Sequence, residues 1–373
     1  MNADVIVIGA GIIGSACADK LAGRGLDVLV IDSQRGGATA VGMGHLVAMD
    51  DSPAELALSQ YSIGVWRELA RDLDDDCAYR NCGTLWLAAN AAEMHGAQQK
   101  MATLQANGVA CEMLGADALQ AAEPALRQGL LGALKVSGDG IVYAPNAARW
   151  LLARHASTIT RLHATVMEID GNRVRLDDQR WLSATAVILA NGIHATQLCP
   201  DLPIRPKKGH LLITDRYPVQ IHHQLVELGY ITSAHANTGT SVAFNAQPRP
   251  TGQIFLGSSR QFDTLDPEVE GPVLARMLKR ALEYLPGLED LNAIRSWTGF
   301  RAATPDGLPI LGEHPQQSGL WLAVGHEGLG VTTAPGSAHV LVAQMFGEKP
   351  LFDPLPYRFE RFSPAPAIAE AVS

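Results

Sequence analysis

The residue types and spacings best suited to chemistry stand at the start of the chain. Gly9, Gly11 and Gly14 follow a Gly-x-Gly-x-x-Gly order, with Ile12 and Ile13 between the last two. The apolar run Val5-Ile6-Val7-Ile8 leads into them, and a helix-compatible stretch from Ser15 to Ala22 follows. A strand, a glycine turn and a helix in this order make a cradle for a pyrophosphate. The first glycine allows the tight turn, the second admits the phosphates, and the third lets helix and strand pack closely. Free N–H groups at the helix N-terminus and the helix dipole favour the anion. A second apolar strand, Asp27 to Ile31, ends at Asp32 and Ser33. Asp32 stands 18 positions after Gly14, where a ribose hydroxyl needs an acceptor, unless the acid only caps its turn. The spacing predicts a dinucleotide site; the alternative is a glycine-rich turn in an ordinary α/β protein.

Three further segments bring backbone to a ligand. Gly36 to Leu46, through Gly44 and His45, is a glycine-rich loop that can approach something flat or charged. The buried strand predicted over 186–189 ends in the small-residue turn Ala190-Asn191-Gly192. Near the C-terminus, the strand predicted over 320–324 runs into Gly325-His326-Glu327-Gly328-Leu329-Gly330, then Val331, Thr332 and a helix over 333–346. A glycine-rich loop feeding a helix is again an anion or carbonyl site.

Between these segments the periodicity predicts helices over 53–73, 92–107, 115–123, 148–156 and 273–284, and strands over 79–89 and 161–169. A hairpin is expected at 173–182, and the alternation from Gly209 to about Phe262 predicts an antiparallel sheet. The length, 373 residues, suggests two domains, and 47% hydrophobic with 18% charged residues is a soluble, globular balance. A net charge of −9 leaves no basic stripe for nucleic acid, and no apolar run approaches the ~20 residues that span a bilayer. Five scattered cysteines support neither a zinc site nor an iron–sulfur cluster; no metal is expected, and a cytoplasmic location is.

The glycine turn, Ala190-Asn191-Gly192, Lys208-Gly209-His210, the segment from Arg301 through Thr304-Pro305-Asp306-Gly307 to Gly312, and Gly325-His326-Glu327-Gly328 occur in order. Together they resemble the D-amino acid oxidase (DAO) family of FAD-dependent amine oxidoreductases, over about residues 1–350. The segment from Gly325 to Gly336 is most similar to the β-type subunits of D-hydroxyproline dehydrogenase, opine oxidase and hydrogen cyanide synthase. The resemblance implies an α/β fold: a discontinuous Rossmann-like FAD-binding domain (1–78, 141–208 and 296–362) with an inserted α+β substrate domain on an antiparallel sheet (79–140 and 209–295); the Ala/Pro composition predicts a disordered tail at 363–373. It implies non-covalent FAD, because His45 stands about four residues beyond the position that covalent attachment would require.

The implied activity is oxidation of a C–N bond in a D-configured amino or imino acid, with cis-4-hydroxy-D-proline as the expected substrate and hydride passing to the flavin. The alternatives are a glycine, sarcosine or D-amino acid oxidase that uses O2, an opine oxidase-type subunit, or a non-catalytic FAD-bearing subunit. Electron-transfer partner subunits are implied by the β-type relatives. Arg301 is expected to pair with the substrate carboxylate, since a guanidinium fork suits it. Arg260 is a second anion contact or a structural ion pair, and Tyr230 closes over substrate or packs at a rim. Lys208 and His210 flank the isoalloxazine or only pack. Glu327 is a solvated acid or a contact to a cationic amine. Val166 offers backbone to the adenine, and the loop from His326 to Thr332 offers donors to the flavin pyrimidine edge.

Overall fold

The computed structural model describes residues 3–216, 220–229 and 239–362. Two large sheets dominate. The first has six strands in the order Ile310–Glu313, Leu320–Val324, Ala186–Leu189, Val5–Ile8, Val28–Asp32 and Ile159–His163. All are parallel except the edge strand Ile310–Glu313. Its central strands read as unbroken apolar runs because both faces are covered. Val5, Val7, Val28 and Val30 enter one core cluster with the helix Ile12–Ala22. Ile6, Ile8, Leu29 and Ile31 enter another beneath it. Each such side chain contributes about 1.5–3 kcal/mol by leaving water, so the sheet holds the glycine turn on a rigid base.

That turn tolerates no side chain at two points. Gly9 has φ +108°, and a Cβ there would lie 2.6 Å from the Ala190 carbonyl oxygen. A Cβ on Gly14 would lie 1.9 Å from the carbonyl oxygen of Gly9. Hence the first glycine lets its turn meet the turn at Ala190, and the third lets the helix pack on the turn at Gly9.

The second sheet has eight strands, in the order Ala293–Ala303, Arg205–Thr214, Ile254–Phe262, Ser241–Pro248, Gln224–Glu227, Thr84–Ala88, Gly132–Val136 and Cys111–Gly115. It is antiparallel except where Gln224–Glu227 runs parallel to Thr84–Ala88. Two of its strands are long, and the boundaries expected at 208/209 and 295/296 fall inside them. A pair of short strands, His45–Leu46 and Gly140–Ile141, ties the loop after Gly44 to the end of the second sheet.

Several expected elements differ. The strand expected over 161–169 is two strands: Ile159–His163 closes the first sheet, and Val166–Asp170 starts a separate three-stranded sheet. The break falls at Ala164, whose N–H returns to the Asp32 carbonyl. Helices occupy Pro53–Leu69 and Ala144–Ala153 rather than 53–73 and 148–156. The C-terminal helix starts at Gly330 and runs to Met345 through Pro335. Proline deprives the Val331 carbonyl of its helical donor; the buried Trp66 indole replaces it, donating to Val331 at 2.9 Å and to Thr332 at 3.1 Å. Residues 363–373, expected as a tail, lie outside the described residues, as does Tyr230. Among the described residues no helix is long and apolar enough to cross a membrane, and the five cysteines are free thiols.

Candidate active site

The dinucleotide end is built mainly from backbone. Ala10 donates its N–H to Asp32 Oδ2 at 2.7 Å, and Gln34 donates to Oδ1 at 2.7 Å. The acid therefore does cap its turn, and each oxygen keeps a lone pair for a further donor. Ser33 beside it is half-buried. The Ile12 N–H is taken by Thr39 Oγ1 at 2.9 Å, whereas those of Gly11 and Ile13 have no acceptor among the described residues. Asn191 Oδ1, at the turn with Ala190 and Gly192, is buried without a partner. Val166 opens its strand two residues beyond Ala164, at the Asp32 end of the cradle. Spare N–H donors, a carboxylate with spare acceptor capacity and an orphaned amide suit the phosphates and ribose of FAD.

The other end lies where the loop after Gly44 meets the second sheet. Gly44 has φ +83°, and a Cβ there would meet the Val142 carbonyl at 1.9 Å. Leu46 is buried, and the His45 carbonyl accepts from Thr332 Oγ1 at 2.9 Å. This joins the glycine loop to the first turn of the C-terminal helix. The His45 ring faces Gln224, Asn245 and Gln247. Burial pushes its pKa down to about 4, with Arg249 and Arg301 pushing the same way against the Gln224 hydrogen bond, so it is neutral at physiological pH.

Arg301 sits opposite Lys207 on the neighbouring strand, so both side chains occupy one face. Its guanidinium lies over Gly209, where a Cβ would be 2.8 Å away, and Nη1 donates to the Ser259 carbonyl at 3.2 Å. Among the described residues no carboxylate forms an ion pair with it. Gly328 passes close to its Cδ, and Glu327, at φ +45°, donates its N–H to the Ala302 carbonyl at 2.9 Å. Lys207 Nζ lies 2.7 Å from Glu327 Oε1. Burial alone would raise the Glu327 carboxyl; the charges of Lys207 and Arg301, the Lys207 hydrogen bond and the charge of Arg260 outweigh it and hold the pKa at about 2. Glu327 is thus not the solvated acid that was one expectation, but an anion among three cations. Arg260, buried on the adjacent strand, belongs to this group by its charge.

Three side chains turn away from this face. Lys208 points to the opposite face, fully buried, with Nζ 3.0 Å from Glu270 Oε1. His210 joins it there: Nε2 accepts the Glu270 N–H at 3.0 Å and Nδ1 faces Ser259 Oγ at 2.8 Å. Both are packing residues, and Lys207 takes the place expected for Lys208. His326 turns its ring inward, Nε2 3.0 Å from Ser337 Oγ, and burial pushes its pKa down to about 3; only its backbone faces the loop, where its carbonyl accepts from the Leu329 N–H.

A family model spans the glycine cradle and the cation-bearing sheet face alike. The DAO model, FAD dependent oxidoreductase, matches residues 4–344. The chain belongs to that family. Glycine oxidase of Pseudomonas aeruginosa is 27% identical, over 96% of this chain and 98% of its own. Hydrogen cyanide synthase subunit HcnC of the same organism is 27% identical, over 98% and 97%. The crystal structure of glycine oxidase from Geobacillus kaustophilus superposes with a TM-score of 0.85 at 25% identity, covering 96% of this chain and 98% of that one. This DAO-family chain is therefore an FAD-dependent oxidoreductase, and the cradle described above is where its residues fit FAD.

Away from that site, Cys199, Asp201 and His314 bring ligand-type atoms within 4.8 Å of one another. His314 Nδ1, however, accepts the Gln316 N–H at 3.2 Å, which puts the proton on Nε2, facing Asp201. That is the wrong tautomer for a metal at Nε2.

Proposed function

We propose that the chain oxidises the C–N bond of a D-configured amino or imino acid, with cis-4-hydroxy-D-proline as the preferred substrate and a Δ1-pyrroline carboxylate as product. The observation that carries the reading is Arg301. It is a half-buried guanidinium with one N–H given to a backbone carbonyl and no carboxylate partner among the described residues. A bound carboxylate would complete it in bidentate geometry. Lys207 is already engaged by Glu327, so Arg301 is the better anchor.

FAD, when bound, supplies the acceptor for the hydride that leaves the substrate carbon. The chain's own contribution is to anchor the carboxylate and to turn that carbon toward the cofactor side of the sheet. Glu327 remains an anion and limits the positive charge that Arg301, Lys207 and Arg260 would otherwise concentrate there. The choice of hydroxyproline rests on the likeness of Gly325 to Gly336 to β-type subunits. Electron-transfer partner subunits belong to the same reading, since HcnC is by name a subunit of hydrogen cyanide synthase, and so does a cytoplasmic setting.

A second reading is favoured by the similarity to glycine oxidase over nearly the whole chain: oxidation of glycine, sarcosine or a D-amino acid with O2 as acceptor. One experiment orders the two. The purified yellow protein is mixed anaerobically with cis-4-hydroxy-D-proline, and the visible flavin band is followed. Bleaching is expected, with slow recovery and little peroxide when air is admitted. A band unchanged by hydroxyproline but bleached by glycine or sarcosine, with peroxide in air, overturns the first reading for the second.

A further inference from the structure

Strand parity places more than the cations on the active-site face of the eight-stranded sheet. Arg301 lies opposite Lys207, and Ile213 shares the Lys207 side because every second residue of a strand does. Ile213 lies opposite Phe255, Phe255 opposite Gln247, and Gly257 opposite Asn245. Val226 pairs with Asn245, which brings Gln224 to the same side. His45 meets the three amides of this face, Gly328 meets Arg301, and Thr332 Oγ1 ties their two loops together at the His45 carbonyl.

The three amides are spent except at one oxygen. The Gln224 carbonyl oxygen faces His45 Nδ1, and its Nε2 donates to Thr84 Oγ1 at 3.2 Å. Gln247 Oε1 accepts from Arg249 Nη1 at 3.1 Å. Asn245 Nδ2 lies 3.2 Å from His45 Nε2, which accepts because an amide NH2 only donates. Asn245 Oδ1 is left over. It is buried without a hydrogen-bond partner, on a residue 7% exposed. A buried carbonyl without a donor is costly, and a ligand that brings one relieves it.

We propose that Asn245 determines specificity by recognising a hydroxyl on the substrate ring, its Oδ1 accepting that O–H while Arg301 holds the carboxylate. The inference rests on the reading of a cyclic imino acid anchored at Arg301, and names what reads the rest of the ring. The spacing suits it. Arg301 Nη1 already reaches the Ser259 carbonyl, on the strand beside that of Asn245. Asn245 stands opposite Gly257, so the two polar ends lie one strand across and two residues along from each other, the scale of one small amino acid. Over Gly257, where a Cβ would meet Met43 Sδ at 3.0 Å and Leu211 Cδ2 at 3.4 Å, the surface is apolar and suits ring methylenes. Met43 is unbranched and adaptable, so it can give way to them.

A hydroxyl fits this position better than the substrate amine. The reacting carbon and its nitrogen turn toward the cofactor, which leaves the carboxylate and the far side of the ring to face the sheet. Burial first, and then the charges of Arg249 and Arg301, keep the adjoining His45 neutral. Those same charges disfavour an ammonium beside Asn245, whereas a hydroxyl donates without carrying charge. An analogue lacking the hydroxyl leaves Oδ1 unpaired, and this is how a polar site rejects it.

The test compares cis-4-hydroxy-D-proline with D-proline, which lacks only the hydroxyl, by anaerobic flavin reduction in the FAD-loaded protein. Concentration series separate the dissociation constant from the limiting rate. Wild type should bind hydroxyproline about tenfold more tightly or better, the worth of one buried hydrogen bond. Asn245→Leu keeps the volume, removes the acceptor and should bring the ratio of the two dissociation constants close to one. If it fails to fold, Asn245→Ala removes the same oxygen with less bulk and is read the same way. A variant that weakens both compounds alike, with the wild-type ratio intact, overturns the proposal. So does a wild type that oxidises hydroxyproline but binds the two equally, and that result leaves the substrate reading standing. A flavin reduced by glycine or sarcosine and by neither proline overturns both.

Discussion

Two acid-centred clusters against the eight-stranded sheet use similar residues to opposite ends. Glu227 is buried and saturated: Phe244 N–H reaches Oε1 at 2.5 Å, Arg280 Nε reaches Oε2 at 2.9 Å, and the Tyr284 hydroxyl reaches Oε2 at 3.1 Å. Arg280 gives further donors to Glu283 and Tyr284, and Tyr284 stacks on Phe244 with centroids 4.6 Å apart. Both oxygens of Glu227 are therefore engaged within the fold. Glu327 instead faces three cations, and Arg301 among them keeps donors in reserve. The difference separates a structural ion pair from a binding site: burial is common to both, and unspent hydrogen-bonding capacity marks the second.

The sharpest way to break this contrast is Arg301→Ala. Loss of a buried partner for a carboxylate costs about 2–5 kcal/mol in binding, so KM should rise at least about thirtyfold at ~1.4 kcal/mol per decade, with little change in Tm. Near-wild-type turnover at low substrate would remove Arg301 from the site. Glu227→Ala should do the reverse. It strands the Phe244 N–H and the Tyr284 hydroxyl and leaves Arg280 half-buried beside an empty place, so stability should fall by about 2–3 kcal/mol while KM hardly moves; chemical denaturation measures it. If the Glu227 variant loses substrate affinity and keeps its stability, the two clusters have been assigned the wrong way round.

The smallest expected effect concerns acid. His45 and His326 are neutral in the fold, with pKa values pushed down by burial to about 4 and about 3 from 6.5. Depressed values contribute stability that is complete above the unfolded pKa and lost as pH falls through the folded one. Their contribution should therefore decline from about pH 6.5 downward, before Glu327, at about 2, begins to protonate. His326→Asn should flatten that decline in pH-dependent denaturation, and an unchanged slope would show that His326 is not buried neutral.

What was legible in the chain follows from how far each signal reaches. The glycine turn, its strand and helix, and Asp32 lie within one supersecondary unit, so short-range sterics and periodicity declare them together. The loop from Gly325 to Gly330 is local in the same sense. The choice between Lys207 and Lys208 was not legible. Strand parity decides it, and parity became visible only when Arg301 was seen opposite Lys207; a slip of one residue would exchange the two faces. The partners of His45 were equally out of reach, since Gln224 and Asn245 arrive from strands 179 and 200 residues away.

By itself, then, the amino-acid sequence determined the cradle whose residues fit a dinucleotide, because a phosphate cradle is made of backbone and needs only glycines, one acid and the strand and helix beside them. The tertiary structure alone decided which charges face the site, which acid is spent and which arginine is not. Those answers depend on register between strands distant in the chain, and on whether each buried donor has already found an acceptor.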